Sequence, residues 1–234
     1  MEKKEEIYRG KAKTLYATTD KDLAISHFRD DATAFDGKKK DTIADKGIIN
    51  NKLSGVLFEL LESRGIPTHF VRILNEKEML VKQAEIILIE VIARNVVAGS
   101  LSKRLGIPEG VELKAPIIEF YFKKDELGDP FINQEHIRIL DLATDDEVET
   151  MKELALIAND ILTDFFKQKE LILVDIKFEF GRHKGDIILA DEISPDTCRL
   201  WDVKTKERLD KDRFRRDLGK VRESYQEILR RVLE

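Results

Sequence analysis

The run Leu171-Ile172-Leu173-Val174-Asp175-Ile176-Lys177-Phe178-Glu179-Phe180-Gly181 sets three charges into an otherwise apolar stretch. With a strand period of two, Ile172, Val174, Ile176, Phe178 and Phe180 share an apolar face, while Asp175, Lys177 and Glu179 line the other. An alternating-sign ladder on a solvated sheet face accounts for that pattern. A second strand opens another reading. After Gly181-Arg182-His183-Lys184-Gly185, the run Asp186 to Glu192 can fold back as an antiparallel partner. A turn that pairs odd residues with odd ones puts Asp191 on the face of Glu179 and Asp175, near enough to share one divalent cation. Carboxylates from two rigid strands suit Mg²⁺, which prefers oxygen ligands and leaves positions for water and substrate phosphates. Without the ion or Lys177 nearby, their mutual repulsion would be costly.

Phosphate needs backbone N–H groups and fixed cations. Tyr8-Arg9-Gly10-Lys11-Ala12-Lys13 places two lysines at i, i+2 in a tight glycine hairpin, so both can project over a polyphosphate; a Lys-rich surface turn has the same composition. Glu90 to Ser100 sets Arg94 inside an apolar strand and ends on Ala98-Gly99-Ser100 at a helix start. This reads either as an anion site completed by a fork-shaped arginine or as an N-cap serine with an edge-strand arginine. Asp30 to Lys40, with Asp36-Gly37-Lys38 at its centre, reads as a charged loop that faces solvent or closes over a substrate. Arg199 near the single Trp201 suggests stacking, and the lone Cys198 a small buried residue.

Elements must carry these residues. Short strands are expected at 6–9, 14–17 and 23–28, then a helix over 43–64 stopped by Gly65 and Pro67, and strands at 69–74, 78–83 and 86–94. A short helix over 100–105 and a strand over 117–122 follow. Thr144 with Glu147 forms a capping box ahead of a helical stripe ending at Phe165. Strands at 170–180 and 186–191 precede one C-terminal helix from about Lys211, carrying Phe214, Leu218, Val221, Tyr225, Ile228, Leu229 and Val232. The succession implies an α+β protein with two lobes. Its 234 residues are 42% hydrophobic, enough for a sizeable core, and 41 Lys+Arg against 46 Asp+Glu leave −5, which disfavours a nucleic-acid binder. No apolar run approaches the roughly 18 residues of a membrane span, and one cysteine excludes an internal disulfide, so a soluble cytoplasmic protein is expected.

The hairpin at Tyr8–Lys13, Asp31-Ala32-Thr33-Ala34-Phe35, Glu90–Ser100, Leu173–Gly181, Asp191–Trp201 and Asp210–Arg215 together resemble the SAICAR synthetase family over nearly the whole length. One departure is Leu88, where many members carry proline. The resemblance implies an ATP-dependent ligase joining L-aspartate to 5-aminoimidazole-4-carboxy ribonucleotide (CAIR) in purine biosynthesis, giving SAICAR, ADP and phosphate. It implies an ATP-grasp-like arrangement: an antiparallel β-rich lobe over residues 1–82 covers ATP, and a larger α/β lobe over 83–234 holds metal and ribonucleotide, with homodimers typical. By the same resemblance Glu179 and Asp191 are the Mg²⁺–ATP carboxylates; Lys11, Ala12 and Lys13, with Lys82 and Lys123, contact the nucleotide. Arg94, Ser100 and Arg199 take the 5′-phosphate, and Asp175 and Lys177 lie near the reacting carboxylate. The Asp36-Gly37-Lys38 loop is a candidate for binding aspartate. A kinase-like phosphotransferase and a catalytically silent nucleotide-binding regulator are the rival readings.

Overall fold

The computed structural model describes residues 2–34 and 39–234. The chain opens with strands β1 (Lys3–Arg9), β2 (Lys13–Thr18) and β3 (Leu23–Phe28), a ribbon of β4 (Asp31–Ala34) and β5 (Lys39–Thr42), helix α1 (Lys46–Ser63), and strands β6 (Phe70–Asn75) and β7 (Glu78–Lys82). An antiparallel sheet of order β1-β2-β3-β7-β6 results. The β4–β5 ribbon occupies much of the stretch expected as a loop, and Asp36 and Lys38 lie outside the described residues.

Then follow β8 (Glu85–Val96), α2 (Gly99–Leu105), β9 (Glu112–Phe122), β10 (Phe131–Ile132), α3 (Gln134–Ile139), α4 (Asp145–Gln168), β11 (Leu171–His183), β12 (Asp186–Ala190), β13 (Cys198–Asp202), α5 (Asp212–Arg215) and α6 (Val221–Leu233). The second sheet runs β10-β9-β8-β11-β12, with β13 also paired to β11. The two sheets are stitched where His69 N–H donates to Leu189 (2.8 Å) and Leu189 N–H to Pro67 (2.9 Å). One apolar cluster spans both, taking Phe28 and Leu57 from the first half and Phe178 and Tyr225 from the second. The α+β class expected from the sequence is the one that forms.

β11 departs from simple alternation. Its pairing with β13 slips by one residue between Leu173 and Asp175, a bulge. Leu171 and Leu173 therefore join Ile176, Phe178 and Phe180 in the main core, while Val174 packs with Val96, Ala98 and Trp201 on the opposite side. The single apolar face expected for Ile172 through Phe180 is thus split. Beyond the bulge, Asp175, Lys177 and Glu179 keep a common face. Burying a side chain the size of Phe178 contributes roughly 1.5–3 kcal/mol, which pins this register against slipping.

α4 covers the apolar face with Val148, Met151, Ala155, Ala158, Leu162 and Phe166, and its capping box forms as read: Thr144 accepts from Glu147 N–H while Glu147 accepts from Thr144 N–H. The C-terminal helix is instead two helices. Between α5 and α6, Asp217, Gly219 and Lys220 take φ of 54°, 68° and 51°, and Arg213 fastens the break by donating to the Gly219 carbonyl at 2.7 Å. Leu218 consequently lies on the surface, outside the helical stripe to which its spacing assigned it. No helix of the described residues is long and apolar enough to cross a membrane.

Candidate functional site

On the polar face of β11, Lys177 Nζ hydrogen-bonds Glu179 and reaches Glu90 Oε1 at 3.1 Å and Asp191 Oδ2 at 3.5 Å. Lys123, just past β9, donates to Glu179 Oε1 at 3.0 Å. Lys13, at the start of β2, donates to Asp191 and lies 3.4 Å from Glu192 Oε1. Both sheets thus contribute cations to one cluster. Burial favours neutral lysine, but the attraction of Glu179, Glu90 and Asp191 outweighs it and holds the Lys177 pKa well above the ordinary value. Burial likewise acts to raise Asp191, yet Lys13, Lys177 and Lys123 bring it far below the usual carboxylate range.

Asp191 reaches the cluster by an unexpected route. Glu179 pairs with Ala190 and Gly181 with Ile188, so odd residues face even ones, the reverse of the register expected from the sequence. Alternation alone would turn Asp191 away. The chain instead leaves β12 with Asp191 at φ 65°, in the left-handed region, which swings the carboxylate back toward Lys13 and Lys177.

Asp175 belongs elsewhere. It sits 3% exposed, clamped by Arg94 Nη1 at 2.7 Å and by Arg199 Nη1 at 2.8 Å, so it is not a third carboxylate beside Glu179 and Asp191. Arg94, 1% exposed, also donates from Nε to Glu119 (2.7 Å) and from Nη2 to Ser100 Oγ (2.9 Å) and Tyr121 (3.3 Å). Ser100 lies inside α2, whose cap is Ala98 without a side-chain bond, and this disposes of the N-cap reading of the serine. Arg199 reaches Asp212 through Nε at 3.0 Å. Its guanidinium lies so close to Gly99 that a Cβ there would meet Nη2 at 2.6 Å and displace it from its place beside Asp175 and Asp212, and Gly99 has φ 55°; both facts favour glycine. These groups surround a pocket of about 200 Å³ lined by Arg94, Ser100, Asp175, Lys177, Arg199 and Arg215, among others. Lys177 faces both pocket and cluster.

Other expected contacts separate. Lys11 and Lys13 do not project together: Lys11 bonds Asp125 Oδ1 at 2.8 Å across the cleft mouth, leaving Lys13 alone in the cluster. Lys82 donates to the Thr68 carbonyl at 2.7 Å and stands outside it. The hairpin around Ala12 is gripped by Arg29, which donates to the Gly10, Lys11 and Lys13 carbonyls at 2.7, 3.1 and 2.9 Å. Arg29, Glu90, Glu119, Tyr121, Asp212 and Arg215 were not identified as site residues from the sequence. Glu119 and Tyr121 alternate on β9, a signal that points to a shared face but not to Arg94 as its occupant. Cys198 is buried with its thiol pushed far up by burial, as suits a packing residue.

A lysine–carboxylate cluster next to an arginine-framed pocket defines the class: an enzyme built to hold several anionic groups at once. The SAICAR synthetase family profile matches residues 6–232, and the chain belongs to that family. It is 59% identical over 232 residues to the phosphoribosylaminoimidazole-succinocarboxamide synthase of Caldanaerobacter subterraneus subsp. tengcongensis, covering 99% of each chain. Among solved structures, it resembles that of the synthase from Ehrlichia chaffeensis with a TM-score of 0.95 at 49% identity, over 97% of this chain and 98% of the other. A SAICAR synthetase in complex with ADP matches with a TM-score of 0.94 at 52% identity over 97% of each chain.

Proposed function

We propose that this chain is the ATP-dependent ligase that joins L-aspartate to the carboxylate of CAIR, producing SAICAR, ADP and phosphate in purine biosynthesis. The observation that carries the reading is Lys177. It stands between a cluster suited to nucleotide phosphates and a pocket suited to a phosphorylated carboxylate substrate, 3.1 Å from Glu90 and lining the pocket beside Arg199. Family membership and the ADP bound by a similar enzyme support nucleotide use.

In this reading Glu179 and Asp191 would hold Mg²⁺. The fit is chemical: Glu90, Glu179, Asp191 and Glu192 outnumber Lys13, Lys123 and Lys177, leaving acceptor oxygens for a hard cation. No group of three or more His, Cys, Asp or Glu among the described residues is placed to hold a metal alone. When bound, Mg²⁺ supplies charge neutralisation at the phosphates. Lys13 and Lys123 leave their carboxylates for the phosphate oxygens, with Lys11 at the cleft mouth, the Ala12 hairpin backbone and Lys82 completing the nucleotide side. Ser100 and Arg199, framed by Arg94, bind the 5′-phosphate. Lys177 draws the CAIR carboxylate toward the γ-phosphate, and Asp175 fixes the arginines beside it; the carboxylate oxygen attacks the γ-phosphate, releasing ADP and forming an acyl phosphate, and the aspartate amine then attacks the acyl carbon, giving up a proton and expelling phosphate. Residues 1–82 form the nucleotide-covering lobe and 83–234 the ribonucleotide lobe of a cytoplasmic homodimer; Asp36 and Lys38, outside the described residues, are the aspartate-binding candidates read from the sequence.

An ADP-release assay with each substrate omitted in turn tests the reading. Full release requires ATP, CAIR and aspartate together. Rapid ADP formation without aspartate, with phosphate stably transferred to an acceptor, would overturn ligation in favour of a phosphotransferase.

A further inference from the structure

Arg199 and Arg215 both line the pocket, yet neither is held by the groups that a substrate would touch alone. Behind them lies Asp212, 2% exposed and absent from the pocket wall. Its two carboxylate oxygens go to different arginines: Oδ2 accepts from Arg199 Nε at 3.0 Å, and Oδ1 from Arg215 Nη1 at 2.7 Å. Arg216 Nε stands 3.8 Å from Oδ2. The aspartate is itself fixed from behind, since Asp210 accepts its backbone N–H at 2.7 Å and that of Leu200 at 2.9 Å, tying α5 to β13.

We propose that Asp212 is a positioning residue that sets the spacing of Arg199 and Arg215 for the 5′-phosphate of the ribonucleotide. The proposal rests on reading the pocket as the phosphate site. Two guanidinium groups aimed at one dianion repel each other while the site is empty, and a carboxylate wedged between them removes that cost without occupying the pocket. Arg199 also bonds Asp175, but Asp212 is the sole anion on Arg215 among the described residues. Arginine geometry makes the arrangement directional. Arg199 engages the aspartate through Nε and Arg215 through Nη1, so each keeps further N–H donors while lining the pocket. Burial acts to raise the Asp212 pKa, but Arg199 and Arg215 hold it at about 2, so the carboxylate is charged throughout the physiological range. An asparagine keeps the shape with one acceptor oxygen and presents an N–H₂ to the other arginine, so one fork is released.

The test compares CAIR with its dephosphorylated nucleoside. In Asp212→Asn, kcat/KM for CAIR falls about 10- to 100-fold, chiefly through KM, as expected for loss of a group that orients a ligand-binding side chain. KM for ATP and kcat/KM for the nucleoside stay within about twofold, because neither uses the paired arginines. Asp212→Glu, which retains the charge, recovers part of the CAIR affinity. Equal losses on CAIR and the nucleoside, or an unchanged KM for CAIR, would overturn the proposal. If Asp212→Asn does not fold, Asp212→Glu supplies the same comparison: a loss confined to CAIR supports positioning, and an equal loss on both substrates overturns it. A wild-type enzyme that treats CAIR and nucleoside alike overturns the phosphate reading itself, and with it the proposal; discrimination by the wild type with none lost in the variants overturns the positioning role alone.

Discussion

The cluster around Asp191 and the pocket around Asp175 are both made of buried opposite charges, yet they are built from different cations. Lysines dominate the first: Lys13, Lys123 and Lys177 converge on Glu179 and Asp191. Arginines dominate the second, where Arg94 and Arg199 clamp Asp175 and Arg199 and Arg215 clamp Asp212. An ammonium is a point charge on a flexible stem and exchanges one oxygen for another without reorienting a plane. A guanidinium such as that of Arg94, with Nε, Nη1 and Nη2 all engaged, is a strut. The difference teaches that, on the proposed function, one region is charged for exchange, its lysines free to pass from carboxylates to phosphates, whereas the other is charged for rigidity, its arginines braced by carboxylates.

Substitutions break or sharpen this contrast. The largest effect is expected at Arg94→Met, which leaves Glu119 and Asp175 short of a buried partner and costs about 3–5 kcal/mol of stability by chemical denaturation; an unchanged midpoint would remove the distinction between strut and exchange. Glu179→Gln or Asp191→Asn should lower kcat by about 10²- to 10³-fold, roughly 2.7–4 kcal/mol of transition-state stabilisation, with the fold retained and the melting temperature lowered by loss of the lysine pairs. Near-normal turnover of either variant at saturating Mg²⁺ would sink the metal assignment.

Glu147, remote from both regions, provides a control with a pH signature. Hydrogen bonding by Arg182, offset in part by burial, holds its carboxylate at about 2 against an ordinary 4.5. The folded pKa is depressed, so its contribution is complete above about 4.5 and disappears as the pH falls through about 2. Glu147→Gln should cost up to about 1 kcal/mol at pH 7 through loss of the ion pair with Arg182, since glutamine still accepts the Thr144 N–H of the capping box. Denaturation curves of the two proteins should then converge in acid. Smallest of all, Asp125→Ala frees Lys11 from an exposed contact and should alter KM for ATP by less than about twofold at physiological salt. A larger, salt-insensitive change would mean that Lys11 belongs with the buried cluster.

Much of this was legible in the sequence because period and caps are local. The polar face of Asp175, Lys177 and Glu179 followed from alternation, and α4 from Thr144 and Glu147. What escaped depends on long-range pairing. The odd-to-even register of β11 with β12 is fixed by the turn and by packing under α4, and the return of Asp191 by one left-handed residue. Arg94 read as a free phosphate ligand because nothing local shows that Glu119, 25 positions away, and Asp175, 81 away, will meet it. The break before α6 was hidden because Leu218 kept the apolar spacing, while the Leu218 and Gly219 carbonyls within the break are bonded by Arg213.

β11 also constrains how such a chain can vary in length. Asp175, Lys177 and Glu179 are spaced by a strand that advances about 3.3 Å per residue, and their common face begins only after the bulge. A single residue inserted between Asp175 and Glu179 would reverse the faces and send one charged group into the core beneath α4; a single deletion would do the same. At the Lys184-Gly185 turn, immediately beyond the strand, the chain is exposed and the same insertion would enlarge the hairpin loop while packing under α4 still holds the register. Tolerance to insertion should therefore change from none to ample within a few residues, a sharp boundary that an insertion scan would trace directly onto the strand.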